Sequence, residues 1–302
     1  MLEAKKYSPT PSMEKELSNF ERKREFEYRP ADFERVRDLI YQRAGISLAN
    51  SKVEMVYSRL ARRLRALMIS DFSSYLRLLE HADHSEWEHF VNALTTNLTD
   101  FFREPHHFPI LAAHALSVPH RPICIWSAAA ATGEEPYSIA MSLCEAFNSL
   151  TPPIQILATD LDTRVLAKAR EGIYATERIS EIAPERLKRF FLKGKGTREG
   201  FVMVRSAIRS LVEFQSLNLR DDNWSVRGPF DAIFCRNVLI YFDKPVQYRV
   251  LKRLADRLTP DGLLFAGHSE NLLHAPDLFQ ALGKTVYRLA PGAAKGPLYA
   301  QS

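Results

Sequence analysis

Apolar residues recur every three or four positions between residues 30 and 95, which predicts a small all-α domain. The first predicted helix ends at Gly45, a second covers residues 53–68, and a third begins at Asp71. The fourth opens with Ser85-Glu86-Trp87-Glu88, a pattern typical of a capping box at a helix N-terminus. No alternating strand pattern interrupts this region.

The pattern changes after Arg121, where short apolar runs alternate with helical segments and predict an α/β domain. Glycines at 194, 196 and 200 precede a short apolar run, Phe201-Val202-Met203-Val204, which predicts a hairpin inserted at about 190–212. The predicted strands are 123–127, 154–159, 212–216, 230–235, 263–266 and 285–289. The predicted organisation is a flexible segment (1–28), a helical domain (29–95), a connector (96–120), an α/β domain (121–291) and a tail (292–302).

The most informative stretch begins at the first predicted strand. That strand leads into Ser127, four alanines, Thr132 and Gly133, then into Glu134-Glu135 at the start of a helix, and the next strand ends at Asp160. This order predicts the first half of a Rossmann-like nucleotide-binding sheet: a strand, a small-residue turn, a helix, and a second strand that ends in an acid. Asp160 is placed to accept both hydroxyls of a ribose.

The same turn restricts the ligand. A dinucleotide-binding turn uses several glycines so that a pyrophosphate approaches the helix amides, whereas only Gly133 stands here. Glu134 and Glu135 would repel a pyrophosphate. A ligand with an adenosine and a positive charge, such as S-adenosylmethionine, fits better. The alternative is that Glu134, Glu135 and Pro136 only begin a helix.

Composition fits a two-domain globular protein: 302 residues, 46% hydrophobic, with a formal net charge of +5. No apolar run is long enough to cross a membrane, and the first 29 residues lack the apolar core of a signal peptide. The three cysteines have no metal-ligand spacing. We therefore expect a cytoplasmic protein with reduced thiols and no direct membrane insertion.

Five stretches together are similar to one family: 94–108, 126–140, 158–162, 231–242 and 264–271. In order and spacing they resemble the bacterial chemoreceptor glutamate O-methyltransferases, the CheR family, over about residues 30 to 290. The resemblance implies a methyltransferase sheet with a small antiparallel β-subdomain, preceded by an all-α domain. It also implies methyl transfer from S-adenosylmethionine to glutamate carboxylates of methyl-accepting chemotaxis proteins, giving methyl esters and S-adenosylhomocysteine for sensory adaptation.

The resemblance further implies roles for individual residues. Arg103 and Tyr241 correspond to the pair nearest the transferred methyl group, Glu135 to the partner of the cofactor's ammonium, and Asp160 to the ribose ligand. The implied cofactor-binding set is Asn97, Thr99, Arg103, Glu135, Asp160, Asn218, Leu219, Asn237 and Val238. The alternatives are a surface salt bridge to Glu104 for Arg103 and a core aromatic beside Phe242 for Tyr241.

A second cluster of residues is basic. Between Lys52 and Met68 stand five basic residues and one acid, and Arg59, Arg62 and Arg63 are predicted to bind the glutamate-rich methylation helices of chemoreceptors. The alternative is a solvated helix face, and nucleic acid is disfavoured because no aromatic residues for base stacking are interleaved. The inserted hairpin resembles a β-subdomain that, in part of this family, binds a peptide at the receptor's C-terminus.

Other motifs indicate less. His106-His107 suggests a metal, but no acidic or cysteine partner at suitable spacing is evident, so packing is favoured. Residues 267–270 are not the Gly-x-Ser-x-Gly elbow of a hydrolase and are expected to shape the rim of the sheet. Residues 236–239 lack the Asn-Pro-Pro-Tyr motif of amine methylation.

Two alternative functions remain: a nicotinamide-dependent dehydrogenase and a non-catalytic receptor adaptor that binds S-adenosylmethionine.

Overall fold

The computed structural model describes residues 24–81, 84–118 and 121–293. These residues form two compact units, one ending at Thr95 and the other beginning at Thr96. Each unit has its own buried apolar side chains, and each is described separately below.

The first unit is a set of helices. Its α1 (Pro30–Ala44) is capped by Gly45, whose φ of 71° is the left-handed conformation that closes many helices. Its α2 ends at Met68, which also has positive φ (55°) and is almost fully exposed. The helices are α1 (Pro30–Ala44), α2 (Val53–Leu67), α3 (Phe72–His81) and α4 (His84–Leu94), with a 3₁₀ turn at Asn50–Lys52.

One expectation for this unit is wrong. Because α4 begins at His84, Ser85 lies inside the helix and is not the N-cap of a capping box. The described residues include 24–28 of the segment predicted to be flexible. Tyr28 is 5% exposed and packs on Tyr57 and Phe72, with ring centroids 5.6 and 4.4 Å away. Residues 1–23 of that predicted segment lie outside the described residues.

The second unit is built on a seven-stranded sheet in the order β6-β2-β1-β7-β8-β10-β9. The first five strands in this order run parallel, while β10 is antiparallel to both β8 and β9. The strands are β1 (Ile123–Ser127), β2 (Ile154–Asp160), β6 (Val212–Ser216), β7 (Phe230–Cys235), β8 (Leu258–Ala266), β9 (Phe279–Gly283) and β10 (Val286–Leu289). This confirms the predicted Rossmann-like class.

Helices cover the sheet and bury two apolar clusters. One cluster joins α5 and α6 to alternate side chains of β1 and β2, and the other joins α10 to the opposite side chains of β1, β7 and β8. Strand residues buried in both clusters explain the continuous apolar runs of the sequence. The helices are α5 (His107–Ser117), α6 (Glu134–Ala146), α7 (Thr163–Glu171), α8 (Pro184–Phe190), α9 (Ser206–Arg209) and α10 (Lys244–Ala255).

The insertion is a separate three-stranded antiparallel sheet rather than a hairpin alone. Its order is β3-β5-β4, with β3 at Ile173–Ala175, β4 at Phe191–Lys193 and β5 at Phe201–Val204. It therefore begins before the predicted boundary at 190. The strands β3 and β4 form the two edges of this sheet.

Candidate active site

The candidate site lies where the chain order of the parallel strands reverses. From β1 the chain proceeds to β2 on one side, while β7 pairs with β1 on the other. At such a switch point, the loops beyond the carboxyl ends of the two central strands separate and leave a crevice for a ligand. Ser127 and Cys235 end those two strands.

The turn after β1 is shaped by Asp160 and Gly133. The Asp160 carboxylate accepts the main-chain N–H of Ala131 at 2.8 Å and that of Asp162 at 2.9 Å. Gly133 has φ of 96°, and a Cβ there would lie 2.9 Å from the Cβ of Ala169. Burial raises the pKa of Asp160, while these backbone hydrogen bonds lower it. A carboxylate has about four lone-pair sites, so Asp160 retains acceptor capacity beyond these two bonds.

Glu135 lies at the start of α6 and is buried. Its Oε1 accepts the Ser127 hydroxyl at 2.7 Å, and its Oε2 lies 2.9 Å from Nε of Arg236. Burial raises the pKa of Glu135, and the Arg236 cation and the Ser127 hydroxyl oppose that rise. Glu135 is thus an oriented carboxylate at the switch point.

The adjacent Glu134 has a different environment. Its side chain is 2% exposed, receives the Thr132 hydroxyl at 2.6 Å, and pairs with Arg178 at 2.8 Å. Arg178 also pairs with Asp100 at 3.0 Å and donates to the carbonyl of Thr99. Glu134 therefore secures the connector through Arg178, a role that sequence reasoning missed because Arg178 lies in the inserted region.

The connector residues line the same edge. The Asn97 amide donates to Oδ2 of Asp162 at 2.9 Å, and Thr99 is buried. Arg103 is half-buried and donates to the carbonyl of Leu98 at 3.1 Å. Its neighbours Phe102 and Glu104 both have φ of 54°, a conformation that costs energy outside glycine and often occurs at functional sites.

The expected alternative for Arg103, an ion pair with Glu104, does not occur among the described residues. Oε1 of Glu104 instead accepts the main-chain N–H of His268 at 3.1 Å and lies 3.1 Å from its Nδ1. Burial opposes ionisation of Glu104, but the hydrogen bonds from His268 and the nearby Arg236 hold its pKa below the usual value. The guanidinium of Arg103 is therefore not committed to that carboxylate.

The loop after β7 is held by Glu270. Its carboxylate accepts main-chain N–H groups of Asn237 (2.8 Å), Val238 (3.0 Å), Leu239 (2.8 Å) and Gly267 (2.6 Å). Residues 267–270 thus shape the rim of the sheet, as expected. Tyr241 ends a 3₁₀ turn in this loop and is half-buried, whereas Phe242 is buried, so Tyr241 is not simply a core aromatic.

Asn218 and Leu219 follow β6, the strand beyond β2. Leu219 is 5% exposed, and the Asn218 side chain closes a turn by accepting the N–H of Arg220 at 3.0 Å and donating to Asp221 at 2.8 Å. The two residues stand beyond Asp160 along the sheet, since β2 pairs with β6.

His106 and His107 have an acidic neighbour that the sequence spacing did not reveal. One ligand atom each from Glu104, His106 and His107 lies within 4.8 Å of the others. However, Nδ1 of His107 lies 3.0 Å from the Arg236 guanidinium, and its Nε2 lies 3.0 Å from the carbonyl of Lys284. Both ring nitrogens are thus engaged, and the adjacent cation disfavours a metal ion there.

The predicted receptor-binding arginines lie on α2 in the helical unit. The Arg59 guanidinium donates to three carbonyls at the end of α4, the shortest at 2.6 Å to Thr95. Arg63 forms a two-pronged pair with Glu86, which also accepts the hydroxyl of Tyr75. Arg62 is exposed. Two of the three arginines therefore have structural partners within their own unit.

The strand order with its antiparallel β10, the acid ending β2 and the carboxylate opening α6 define the class of S-adenosylmethionine-dependent methyltransferases. Residues 97–288 match the family model described as the CheR methyltransferase SAM-binding domain, and residues 31–95 match the CheR all-alpha domain. The chain belongs to the CheR methyltransferase family. The resemblance, the cofactor and the enzyme class are thereby confirmed, and the dehydrogenase alternative is wrong.

The chain is similar to three chemotaxis protein methyltransferases. Chemotaxis protein methyltransferase 2 of Pseudomonas aeruginosa is 54% identical over 265 residues, covering 87% of this chain and 94% of that protein. The Escherichia coli protein is 54% identical over 263 residues (86% and 91%), and the Klebsiella aerogenes protein is 56% identical over 260 residues (86% and 89%). Nothing in these names supports the non-catalytic alternative. Among the described residues, no helix has the length and apolar character needed to span a bilayer.

Proposed function

We propose that this enzyme transfers the methyl group of S-adenosylmethionine to glutamate side chains on the cytoplasmic methylation helices of transmembrane chemoreceptors, for sensory adaptation. The observation that carries the proposal is the meeting of two buried carboxylates, Glu135 and Asp160, with the Arg103 segment at the switch point of the sheet. Family membership and the relatives named chemotaxis protein methyltransferases support the same function.

Each cofactor group has a proposed partner. Asp160 accepts the ribose hydroxyls with the lone pairs that its two backbone bonds leave over, and Glu135 binds the ammonium group. Asn218 and Leu219 bind the adenine, which extends along the sheet toward β6. The remaining cofactor-binding residues are Asn97, Thr99 and Arg103 in the connector and Asn237 and Val238 in the loop after β7.

The reaction requires alignment more than acid–base chemistry. A glutamate oxygen attacks the methyl carbon as the carbon–sulfur bond breaks, and the electron pair of that bond stays on sulfur. A carboxylate and a sulfonium thus become a neutral ester and a neutral thioether. Water stabilises the separated charges, so a site that excludes water and aligns the reactants accelerates the step. No general base is needed, because the carboxylate is ionised at neutral pH.

Arg103 and Tyr241 are the proposed catalytic residues. A guanidinium that is not paired with Glu104 and a half-buried phenol are suited to hold one oxygen of the substrate glutamate while the other attacks. This contact must stay weaker than a buried ion pair, because a tightly bound carboxylate would be a poor nucleophile.

Two surfaces are proposed to bind the receptor. Arg59, Arg62 and Arg63 present positive charge on α2 to the acidic methylation helices. The edge strand β4 of the inserted sheet accepts a receptor C-terminal peptide by strand addition, which would raise the effective substrate concentration. Exposed Leu192 and Phe201 on that sheet offer apolar contacts for the peptide's side chains.

The test of function is transfer of labelled methyl from S-adenosylmethionine to membranes containing candidate receptors. Base-labile label on the receptor is expected, since an ester hydrolyses in alkali. Cofactor binding without any label on any of the host's receptors would favour the adaptor alternative. Base-stable label would indicate a different acceptor group.

The tether is tested by calorimetric titration with soluble C-terminal receptor peptides, including peptides that end in an aromatic residue. Micromolar binding is expected, with loss of binding when residues 194–196 are deleted. A Leu192→Asp variant tests the same edge without shortening the loop. If no C-terminal peptide of the host's receptors binds, the tether proposal is wrong. The proposal that the enzyme methylates receptors does not depend on that result.

A further inference from the structure

One buried arginine joins three parts of the candidate site. Arg236 follows β7 directly and is 6% exposed. Its Nε lies 2.9 Å from Glu135, its Nη1 lies 3.0 Å from Nδ1 of His107, and its Nη2 donates to the carbonyl of Arg103 at 2.9 Å. The contact with Glu135 is an ion pair, because Nε makes no hydrogen bond among the described residues, whereas Nη1 and Nη2 are directed at His107 and at the Arg103 carbonyl. A guanidinium is planar and carries its donors in fixed directions, so these two hydrogen bonds fix the position of the charge beside Glu135.

His107 is suited to receive one of these donors without charge. It is fully buried, and burial together with the nearby Arg236 lowers the pKa of the imidazole to about 4, so the ring is neutral. With its Nε2–H directed at the carbonyl of Lys284, Nδ1 is left as the acceptor for Arg236. His107 therefore supports the guanidinium from the start of α5.

We propose that Arg236 is a positioning residue for methyl transfer, because one guanidinium fixes both the carboxylate proposed to bind the cofactor's ammonium and the main chain of the proposed catalytic Arg103. This inference rests on the roles proposed above for Glu135 and Arg103. Arg236 itself acts through these two residues and need not touch either substrate.

The charges around Glu135 make Arg236 its main stabilising cation. Ser127 on β1 donates to it, while Glu104 in the connector and Glu270 after β8 are acids that oppose its ionisation. Without Arg236, the buried Glu135 would retain two unfavourable anionic neighbours and no adjacent cation among its named partners. Protonated Glu135 would then lose its attraction for the ammonium as the pH falls.

The experiment compares the variants Arg236→Gln and Arg236→Lys with Arg121→Gln. Arg121 pairs with the buried Asp231 at the opposite end of β7, so it is a matched ion-pair control away from the site. Calorimetric binding of S-adenosylhomocysteine and S-adenosylmethionine is measured between pH 6 and 8, together with kcat and KM. Thermal unfolding records whether each variant folds.

For Arg236→Gln we expect a fall in kcat/KM of about 100-fold, as for a misplaced reacting group, and cofactor affinity that rises with pH. Arg236→Lys retains a cation but lacks the planar set of donors of a guanidinium. Its cofactor affinity should therefore remain nearly independent of pH while kcat falls. If the Gln variant does not fold, the Lys variant carries the test. Wild-type kinetics in Arg236→Lys, or losses no larger than those of Arg121→Gln, would overturn the proposal.

A double-mutant cycle with Glu135→Gln separates the two levels of the argument. If Arg236 acts through Glu135, Arg236→Gln should weaken cofactor binding little further in the Glu135→Gln background. Full additivity would overturn the proposed route. Wild-type affinity in Glu135→Gln alone would instead contradict the role proposed for Glu135. If Glu135→Gln weakens cofactor binding and Arg236→Gln does not, only the role proposed for Arg236 is overturned.

Discussion

Glu270 holds Asn237 in a left-handed conformation: Oε2 of Glu270 accepts the Asn237 main-chain N–H at 2.8 Å, and Asn237 has φ of 57°. Together with three further backbone bonds, this carboxylate determines the path of the loop that carries Tyr241. Gly267 packs closely against the pair, because a Cβ there would lie 2.4 Å from the side-chain nitrogen (Nδ2) of Asn237 and 2.9 Å from Oε2 of Glu270.

We expect Glu270→Gln to destabilise the protein and weaken the cofactor site. The new amide would direct N–H groups at main-chain N–H groups, leaving buried donors without acceptors, at a cost of about 2–4 kcal/mol. Urea unfolding measures the stability, and calorimetry measures cofactor affinity. Asp277→Asn, which alters an exposed carboxylate bonded to the hydroxyl of Tyr248, is the control. Equal stability in the two variants would contradict this account.

Asp160→Asn should weaken S-adenosylmethionine binding by about 1.5–3 kcal/mol, the scale of losing charge-assisted hydrogen bonds. The amide retains one oxygen acceptor for the turn, so it perturbs the fold less than alanine would. Calorimetric titration gives the affinity, and thermal unfolding of the free protein measures the separate effect on the Ala131 turn. Unchanged affinity would remove Asp160 from the cofactor site.

Arg103→Ala and Tyr241→Phe should lower turnover while leaving the free energy of unfolding nearly unchanged. Both side chains are half-buried, and within the described part of the chain the Arg103 side chain donates one hydrogen bond, to the carbonyl of Leu98. Turnover is measured with saturating cofactor on receptor membranes. A variant that methylates receptor at the normal rate shows that its residue has no catalytic role.

Arg62→Glu is the sharpest test of the basic surface on α2. Because Arg62 is exposed, charge reversal there should raise KM for receptor without changing cofactor affinity or stability. The effect should diminish with salt, since the screening length is about 8 Å at physiological ionic strength. Lys252→Glu on α10 is the matched reversal at another exposed position. Equal KM values for the two variants would contradict docking at this surface.

Charge reversal at Arg59 or Arg63 also removes contacts within the helical unit. Arg59→Glu would place an anion against the carbonyls of residues 93–95. Arg63→Glu would place a second carboxylate beside Glu86, and the two would repel each other. We therefore expect both variants to lower the free energy of unfolding, which Arg62→Glu should leave unchanged.

The sequence predicted the central strands well because they are buried on both faces. The central strands at 123–127 and 230–235 match the structure residue for residue, since each is a short apolar run bounded by turns. The edge strand at 212–216 also matches residue for residue, although only Val212 in it is buried. Phe279–Gly283 was not predicted, because four of its five residues are exposed and show no alternation. The capping box at Ser85 was wrong because His84 already belongs to the helix.

For the candidate site, the sequence predicted the acids and not their partners. Parallel strands bring their carboxyl ends to one edge, so Glu135 and Asp160 could be placed together from strand order alone. The partners come from distant segments: Arg236 is 129 residues from His107, and Arg178 is 79 residues from Thr99. No local pattern encodes such pairings, so the different roles of Glu134 and Glu135 required the structure.

His107 should make the protein sensitive to acid. Its pKa is about 4 in the folded protein because burial and the nearby Arg236 disfavour the charged ring, whereas an unfolded histidine has a pKa of about 6.5. Between these values the unfolded state binds more protons than the folded state. Stability is therefore complete above about pH 6.5 and declines as the pH falls toward 4, by about 3 kcal/mol for this group.

The measurement is urea unfolding at pH 7 and at pH 4.5 for wild type, His107→Gln and the control His89→Gln. His89 is exposed, so its removal should leave the acid-induced loss of stability unchanged. His107→Gln removes a hydrogen bond to Arg236 and should be less stable at pH 7, yet it should lose less stability on acidification than wild type does. Carboxylates distant from residue 107 titrate equally in all three proteins, so the difference between the two losses reports on His107 and on Glu104, whose pKa the imidazole helps to lower. Equal losses in wild type and His107→Gln would show that the ring is not held neutral by its burial beside Arg236.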